Sequence, residues 1–329
     1  WKIAKSKMLD NLYVAPGNSG TEMIAHNLHI NVSDYDKIKK SILKHSIDLL
    51  IIGPEDPLVS GLHDTLSKDK DIPTLHIIGP KKEGAKLEGS KLFAKRFMKK
   101  YHIPTAGFQS FDENNFLEVA DYLKQSQPPF VIKADGLAAG KGVFICNSIE
   151  ESERIVYDII IKAKFGNAGK KIVIESFLKG VEMSVFILTD GNNYKVLPSA
   201  KDYKRIGEKD TGLNTGGMGA ISPVPFLDQN LTHKIKSKII EPTLMGLKKE
   251  GIAYSGFLFF GLINVDEEPF VIEYNVRLGD PETQVIIPRI KSDLLNLLMK
   301  INNPDEFKAS ELIINPEAST TVILTSGGY

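Results

Sequence analysis

Short apolar runs alternate with helical periodicity over the first hundred residues. Residues 12–14 (Leu-Tyr-Val), 48–52 (Asp-Leu-Leu-Ile-Ile) and 75–78 (Leu-His-Ile-Ile) read as strands, and Ile38, Ile42 and Leu43 mark a helix between the first two. That alternation predicts a parallel, wound α/β sheet. The strands run into turns at Pro16-Gly17-Asn18, Gly53-Pro54-Glu55 and Gly79-Pro80. Open parallel sheets bind ligands beyond the carboxyl ends of their strands, so Asn18 and Glu55 either face a ligand or are only turn residues. Residues 90–101 place Leu92, Phe93, Phe97 and Tyr101 on one side of a helix that Ser90 caps and Pro104 stops. The lysines between them predict a solvated face.

After Gln127-Pro128-Pro129 the pattern becomes strand, glycine loop, strand. A helix follows, opened by the capping box Ser148-Ile149-Glu150-Glu151, then strands over 171–177 and 183–188, and a turn over 190–193. Beyond Tyr194, strands alternate with long polar segments. The longest, 201–225, reads as a loop, and loops of that length inside a compact domain are usually functional. The loop within 131–147 carries Lys133, Gly136, Gly140, Lys141 and Gly142. Glycines let backbone amides approach a phosphate, and lysine adds charge. It is not a P-loop, which reads G-x-x-x-x-G-K-[ST] and enters a helix. Here three residues separate Gly136 from Gly140, and the chain leaves in a strand. A phosphate cradle and a plain turn both remain open for it.

Residues 270–277 read as a strand with Glu273, Asn275 and Arg277 on one face and Ile272, Tyr274 and Val276 on the other. Glu and Asn offer oxygens to a hard cation such as Mg²⁺, and Arg277 can hold a carboxylate or phosphoryl group through two donors. The alternative is a solvent-facing strand with a chance salt bridge. Leu278 to Thr283 adds more acidic and hydroxyl groups at the strand end, which favours a site.

Composition narrows the setting. The 329 residues are 42% hydrophobic and 25% charged, with 41 basic residues balancing 41 acidic ones. That neutrality gives no support to a nucleic-acid or membrane-surface role. The one cysteine, Cys146, lies in an apolar strand and reads as a buried thiol in a reducing, cytoplasmic compartment. Apolar runs such as 256–263 fall far short of the roughly 20 residues of a membrane helix, and Trp1-Lys-Ile-Ala-Lys5 is no signal peptide.

Three motifs together, Lys133-Ala-Asp-Gly-Leu-Ala-Ala-Gly-Lys-Gly-Val143, Asp210-Thr-Gly-Leu-Asn-Thr-Gly-Gly-Met-Gly219 and Glu273-Tyr-Asn-Val-Arg-Leu-Gly-Asp-Pro-Glu-Thr283, closely resemble the glycinamide ribonucleotide synthetase family (phosphoribosylamine-glycine ligases) of the ATP-grasp superfamily. The resemblance runs from about Tyr13 to Tyr329. It implies an α/β and α+β multidomain chain: an N-terminal parallel wound domain over 1–103, an ATP-grasp lid over 127–189, and a central antiparallel-sheet domain over 104–126 and 190–329. It also implies a strand and glycine-rich turn ahead of Trp1 and a further small domain after Tyr329.

The activity implied is condensation of glycine with 5-phosphoribosylamine, driven by ATP through glycyl phosphate, in purine synthesis. The partners are small molecules, with no nucleic acid or membrane, on a monomer or weak homodimer. Within the family pattern Lys133 reaches the ATP phosphates under the turn of Gly140, Lys141 and Gly142. Glu175, Phe177 and Leu178 supply the adenine edge, and Glu182 holds the ribose. Glu273 and Asn275 resemble the ligands of Mg²⁺ (or Mn²⁺), and Arg277 with Lys133 acts on the transferring phosphoryl group. Substrate contact is implied for Asn18, Glu55, Asp202, Lys204, Arg205, Asn214, Gly216, Gly217, Arg277, Gly279, Asp280, Glu282 and Thr283. Lys201 and Tyr203 stand where the family more often has Gln and His. Glycyl phosphate hydrolyses readily, so a lid that excludes water is a physical requirement.

Two other readings compete. A sister ATP-grasp ligase, such as a biotin carboxylase, usually carries a metal-binding glutamate on the preceding strand, where this chain has Gly261. A nucleotide sensor on the same fold would have no need for Lys133, Glu273, Asn275 and Arg277 together.

Overall fold

A computed structural model describes residues 1–138, 140–209 and 211–326. Ala139 and Asp210, members of two of the motifs above, lie outside the described residues, as do 327–329. The N-terminal strands pair in parallel as expected: β1 (Tyr13–Val14) with β2 (His26–Asn27), and β3 (Leu49–Ile51) with β4 (His76–Ile78). They form two separate pairs where the sequence predicts one wound sheet. β2 consists of a histidine and an asparagine and so has no apolar run to reveal it. The helix Tyr35–Lys44 connects the pairs; the Asp34 carboxylate accepts the Lys37 amide at its start, and Ile42 is its buried residue.

Four antiparallel strands, β5 (Phe108–Asp112), β6 (Phe130–Ala134), β7 (Val143–Cys146) and β8 (Lys171–Ser176), form a sheet in the order β5-β8-β6-β7. The glycine loop joins β6 to β7 as a hairpin, closed by the Ala134 amide donating to the Gly142 carbonyl at 2.8 Å. The Ser148 hydroxyl accepts the Glu151 amide at the start of helix Ile149–Ile160. Glu151 reaches back to the amide of Asn147, one residue before the expected partner of a capping box. This module has its own core, built from Phe111, Val119, Phe130, Ile132, Cys146, Val156 and Ile174. Cys146 is buried there, and burial pushes its thiol pKa up.

A second antiparallel sheet, β10-β9-β13-β14, contains β9 (Val181–Thr189), β10 (Tyr194–Val196), β13 (Gly256–Val265) and β14 (Glu268–Asn275). Strand pairing divides the chain differently from the segments expected above. β5, expected with the central sheet, hydrogen-bonds along β8, whereas β9, expected in the lid, pairs with β13. Continuous apolar runs such as β9 do not state which neighbour they will take. One core unites Leu58, Leu66 and Met98 from the N-terminal half with Met183, Leu258 and Tyr274 of the second sheet.

The segment 201–225, read as a long loop, is mostly a hairpin. β11 (Lys201–Gly207) pairs with β12 (Thr211–Ser222), and β12 pairs with β15 (Ser319–Val322). Register shifts flank Arg205, and side chains complete the irregular ladder: Arg205 Nη1 donates to the Gly212 carbonyl at 2.7 Å, and Thr215 Oγ1 to the Lys204 carbonyl at 2.8 Å. Polar and glycine-rich composition concealed this ladder because its strands bury little apolar surface.

Candidate active site

β13 faces β14 with Gly261 opposite Glu273, but Leu262 opposite Val271, so Ile272 is an extra residue. This bulge breaks the alternation expected for 270–277: Val271, Tyr274 and Val276 are buried, and Arg277 lies beyond the strand end. A Cβ at position 261 would stand 3.2 Å from Glu273 Cγ, so glycine there leaves the side chain its room. The Glu273 carboxylate makes no hydrogen bond or ion pair with any described residue. Burial pushes its pKa up, but Lys204, Lys133, Lys91 and Arg277 outweigh burial and hold it below the ordinary carboxylate value. The Asn275 amide, 8% exposed, is also without a partner among the described residues. Two unclaimed oxygen donors, one ionised, suit a hard cation that keeps phosphate or water oxygens as its other ligands. No group of three or more His, Cys, Asp or Glu side chains is placed to hold a metal among the described residues.

Beside this pair lies a buried ionic cluster. Lys133 Nζ is 2.9 Å from Glu175 Oε1, and Lys95 Nζ is 2.7 Å from Glu175 Oε2. Lys133 also donates to the Ile272 carbonyl at 3.3 Å, which ties the β6 end to the bulge. Lys95 donates to Thr105 Oγ1 at 2.7 Å, and that hydroxyl donates to the Val271 carbonyl at 2.7 Å. Lys95 corrects the solvated-face reading of helix Lys91–Lys100, for it is 2% exposed. Burial lowers its pKa to about 8, with Glu175 opposing and Lys133 assisting. The signal was present: at 3.6 residues per turn, position 95 falls between Leu92 and Met98 on the apolar side. Asp135, inside the first motif, also went unnoticed. Its Oδ1 accepts the Leu92 amide at 2.7 Å and the Ser90 hydroxyl at 2.9 Å, anchoring the loop to that helix's N-terminus.

Arg277 is not a free fork. Its Nε donates to Glu55 Oε2 at 2.8 Å, Nη2 pairs with Glu88 Oε1 at 2.9 Å, and Nη1 donates to the Leu278 carbonyl at 3.1 Å. Glu55, at the carboxyl end of β3, therefore meets Arg277, as a strand-end ligand position would allow. Glu88 was missed because its helix, Lys82–Gly89, carries no motif-like spacing.

The first residues of the hairpin complete the cluster. Lys204 Nζ lies 3.4 Å from Asp202 Oδ2 and 3.6 Å from Glu182 Oε2. Burial works against its charge, yet Asp202, Glu182, Glu273 and Glu282 raise its pKa. Gly217, at φ +131°, brings β12 onto the next motif: a Cβ there would stand 2.3 Å from Pro281 Cδ. Gly279 similarly makes room for Glu282, whose Oε2 would be 2.4 Å from a Cβ. Thr283 Oγ1 donates back to the Gly279 carbonyl. Glu282 Oε1 accepts from Ser184 Oγ at 3.2 Å, and burial, with Asp202 beside it, pushes its pKa up to about 7.

A raised carboxyl keeps its proton longer in the folded than in the unfolded chain, so folding stability falls as pH rises from 4.5 to about 7. Glu282→Gln removes that slope. Melting temperatures across this range should show the variant gaining on wild type, by about 2–3 kcal/mol at neutral pH. A constant difference would place Glu282 in a water-like environment.

The remaining expected residues sit in local settings of their own. The Asn18 side chain caps helix Ser19–Glu22, accepting the Thr21 amide at 2.9 Å. Asp280 accepts from Gln284 at 2.6 Å. Arg205 and Asn214 face each other within the hairpin. Gly216 lies in the same strand. Lys141 and Phe177 are exposed, Leu178 is half-buried, and Gly140 takes φ +73° with open space around it. At Gly142 a Cβ would meet Ala138 Cβ at 2.7 Å, so the loop needs glycine there to fold back on itself.

The model of the phosphoribosylglycinamide synthetase N domain matches residues 1–88, and that of the phosphoribosylglycinamide synthetase ATP-grasp (A) domain matches 89–283. The chain belongs to the phosphoribosylglycinamide synthetase family. It is 44% identical over 334 residues to the phosphoribosylamine–glycine ligase of Escherichia coli K12, covering 100% of this chain and 76% of that protein. The crystal structure of the Thermotoga maritima phosphoribosylamine–glycine ligase superposes with a TM-score of 0.83 at 35% identity, over 100% of this chain and 78% of that one. The biotin carboxylase domain of Hydrogenobacter thermophilus 2-oxoglutarate carboxylase shares the fold, with TM-score 0.70 and 17% identity over 97% of this chain and 70% of that one. The ATP-grasp ligase class expected from the three motifs therefore stands. No helix of the described residues is long and apolar enough to cross a membrane.

Proposed function

We propose that the chain is a phosphoribosylamine-glycine ligase, joining glycine to 5-phosphoribosylamine at the expense of ATP in purine synthesis. The observation that carries this reading is the ionised, unpaired carboxylate of Glu273 beside the unpaired Asn275 amide, within the field of Lys91, Lys133, Lys204 and Arg277. Such an arrangement matches a polyphosphate and its dication. Magnesium or manganese held by Glu273 and Asn275 would neutralise phosphate charge and orient the γ-phosphate toward a carboxylate. Lys133, released from Glu175, would reach the phosphates, while Glu175, Phe177 and Leu178 line the adenine edge and Glu182 meets the ribose. The loop through Gly140, Lys141 and Gly142 would close over the nucleotide and exclude water from an acyl phosphate.

Asp202, Lys204, Arg205, Asn214, Gly216 and Gly217 from the hairpin, with Gly279, Asp280, Glu282 and Thr283, would shape the substrate side. Asn18 and Glu55 would bound it at the parallel strands. Positioning and charge neutralisation supply the catalysis. The sheet of β5, β6, β7 and β8 acts as a lid on this reading, with 1–103 and the second sheet forming the body. A cytoplasmic setting and a monomer or weak homodimer accord with the single buried thiol and small-molecule substrates.

The test is ADP release, measured with glycine and phosphoribosylamine added separately and together; release only with both supports the ligase. Lys133→Ala should weaken ATP binding by about 1.5–3 kcal/mol, the worth of a hydrogen bond to a charged group. Unchanged affinity and rate in that variant would leave the glycine loop a plain turn.

A further inference from the structure

We propose that Glu88 is a positioning residue for Arg277 and for the strand end that carries Glu273 and Asn275. The inference rests on the reading that these three serve the ligase site. Glu88 is 8% exposed and splits its two oxygens between adjacent residues: Oε2 accepts the Val276 amide at 2.8 Å, and Oε1 pairs with Arg277 Nη2 at 2.9 Å. One carboxylate therefore fixes both the backbone immediately after Asn275 and the guanidinium that follows it.

The geometry is more than a salt bridge needs. Arg277 already has Glu55 on Nε, and a second buried carboxylate beside the first is electrostatically unfavourable. What Glu88 adds is direction. With Nε on Glu55, Nη2 on Glu88 and Nη1 on the Leu278 carbonyl, each nitrogen has a fixed partner, the plane of the guanidinium is set, and its remaining N–H groups keep a defined orientation for an oxyanion. The anchor comes from a helix far upstream, 188 residues from Val276. The strand end is thus braced from outside its own sheet, just where the β14 ladder stops. Lys133 holds the bulge at the Ile272 carbonyl, and Glu88 holds the chain just past Asn275, where the ladder ends, so the donor pair is fixed from both sides.

The experiment compares wild type, Glu88→Gln and Glu88→Ala as full chains. Gln is nearly isosteric and still accepts from the Val276 amide, so it separates the ion pair from the backbone bond and guards against misfolding of the alanine variant. The first readout needs no turnover: the rate of phenylglyoxal modification at Arg277, followed by peptide mass spectrometry. It should rise about threefold or more in both variants, and an unchanged rate overturns the proposal. The second is steady-state kinetics of Glu88→Gln. On the scale of residues that orient a site residue, kcat should fall about tenfold or more, with KM for ATP within about twofold. A loss confined to melting temperature, with kcat intact, makes Glu88 merely structural. Absence of ADP release in wild type would sink the ligase reading instead, while the modification rates still decide the role of Glu88.

Discussion

Glu273→Gln is expected to lower kcat by about two to three orders of magnitude, the scale of losing a preorganised charge at a reacting phosphoryl group. The fold should survive. The carboxylate has no partner among the described residues to lose, Gln is nearly the same size, and Gly261 leaves space opposite it. What disappears is the negative charge that Lys204, Lys133, Lys91 and Arg277 surround. With it goes the better of two oxygen donors for a hard dication. Turnover should therefore need far more magnesium, and titrating the metal at saturating ATP separates weakened metal binding from slowed chemistry. Wild-type magnesium dependence in this variant would move the metal site elsewhere.

Much of this site was legible in the chain because its chemistry is written in polar residues within apolar strands. Glu273 and Asn275 stand out in β14 for that reason, and the β6–β7 hairpin follows from two apolar runs flanking glycine. The parts that could not be read are those set by partners. Nothing in residues 82–89 announces that Glu88 will meet a residue nearly two hundred positions later. Lys95 looked like one solvated lysine among several, although its place between Leu92 and Met98 carried the answer. The bulge at Ile272 depends on register against β13, which alternation alone cannot supply. The β11–β12 hairpin eluded detection for a different reason: its ladder is held by backbone and polar side chains, so no hydrophobic period marks it.

The buried cluster around Glu175 should be the most stability-critical feature of the site. Glu175, 4% exposed, separates Lys95 and Lys133, each within 3 Å of one of its oxygens. Glu175→Gln keeps the shape and removes the carboxylate in direct contact with two buried ammonium groups. Breaking a buried pair by removing one partner costs about 3–5 kcal/mol, because the remaining charge stays desolvated. The loss should depend on pH in a defined direction. Lys95 already titrates near 8, below its ordinary 10.5, so the folded chain binds fewer protons than the unfolded one between those values, and stability there rises with pH. Without Glu175, which raises the Lys95 pKa, the lysine sheds its proton at still lower pH. The gap between variant and wild type should then narrow as pH climbs toward 8. Urea unfolding at pH 6.5 and 8.5 checks this, with Glu175→Gln/Lys95→Met as a companion that should recover part of the loss, since it removes one of the stranded charges. A destabilisation under about 1 kcal/mol at both pH values, far below the range for a buried pair, would mean that water reaches the cluster and that Lys133 is held by something other than Glu175.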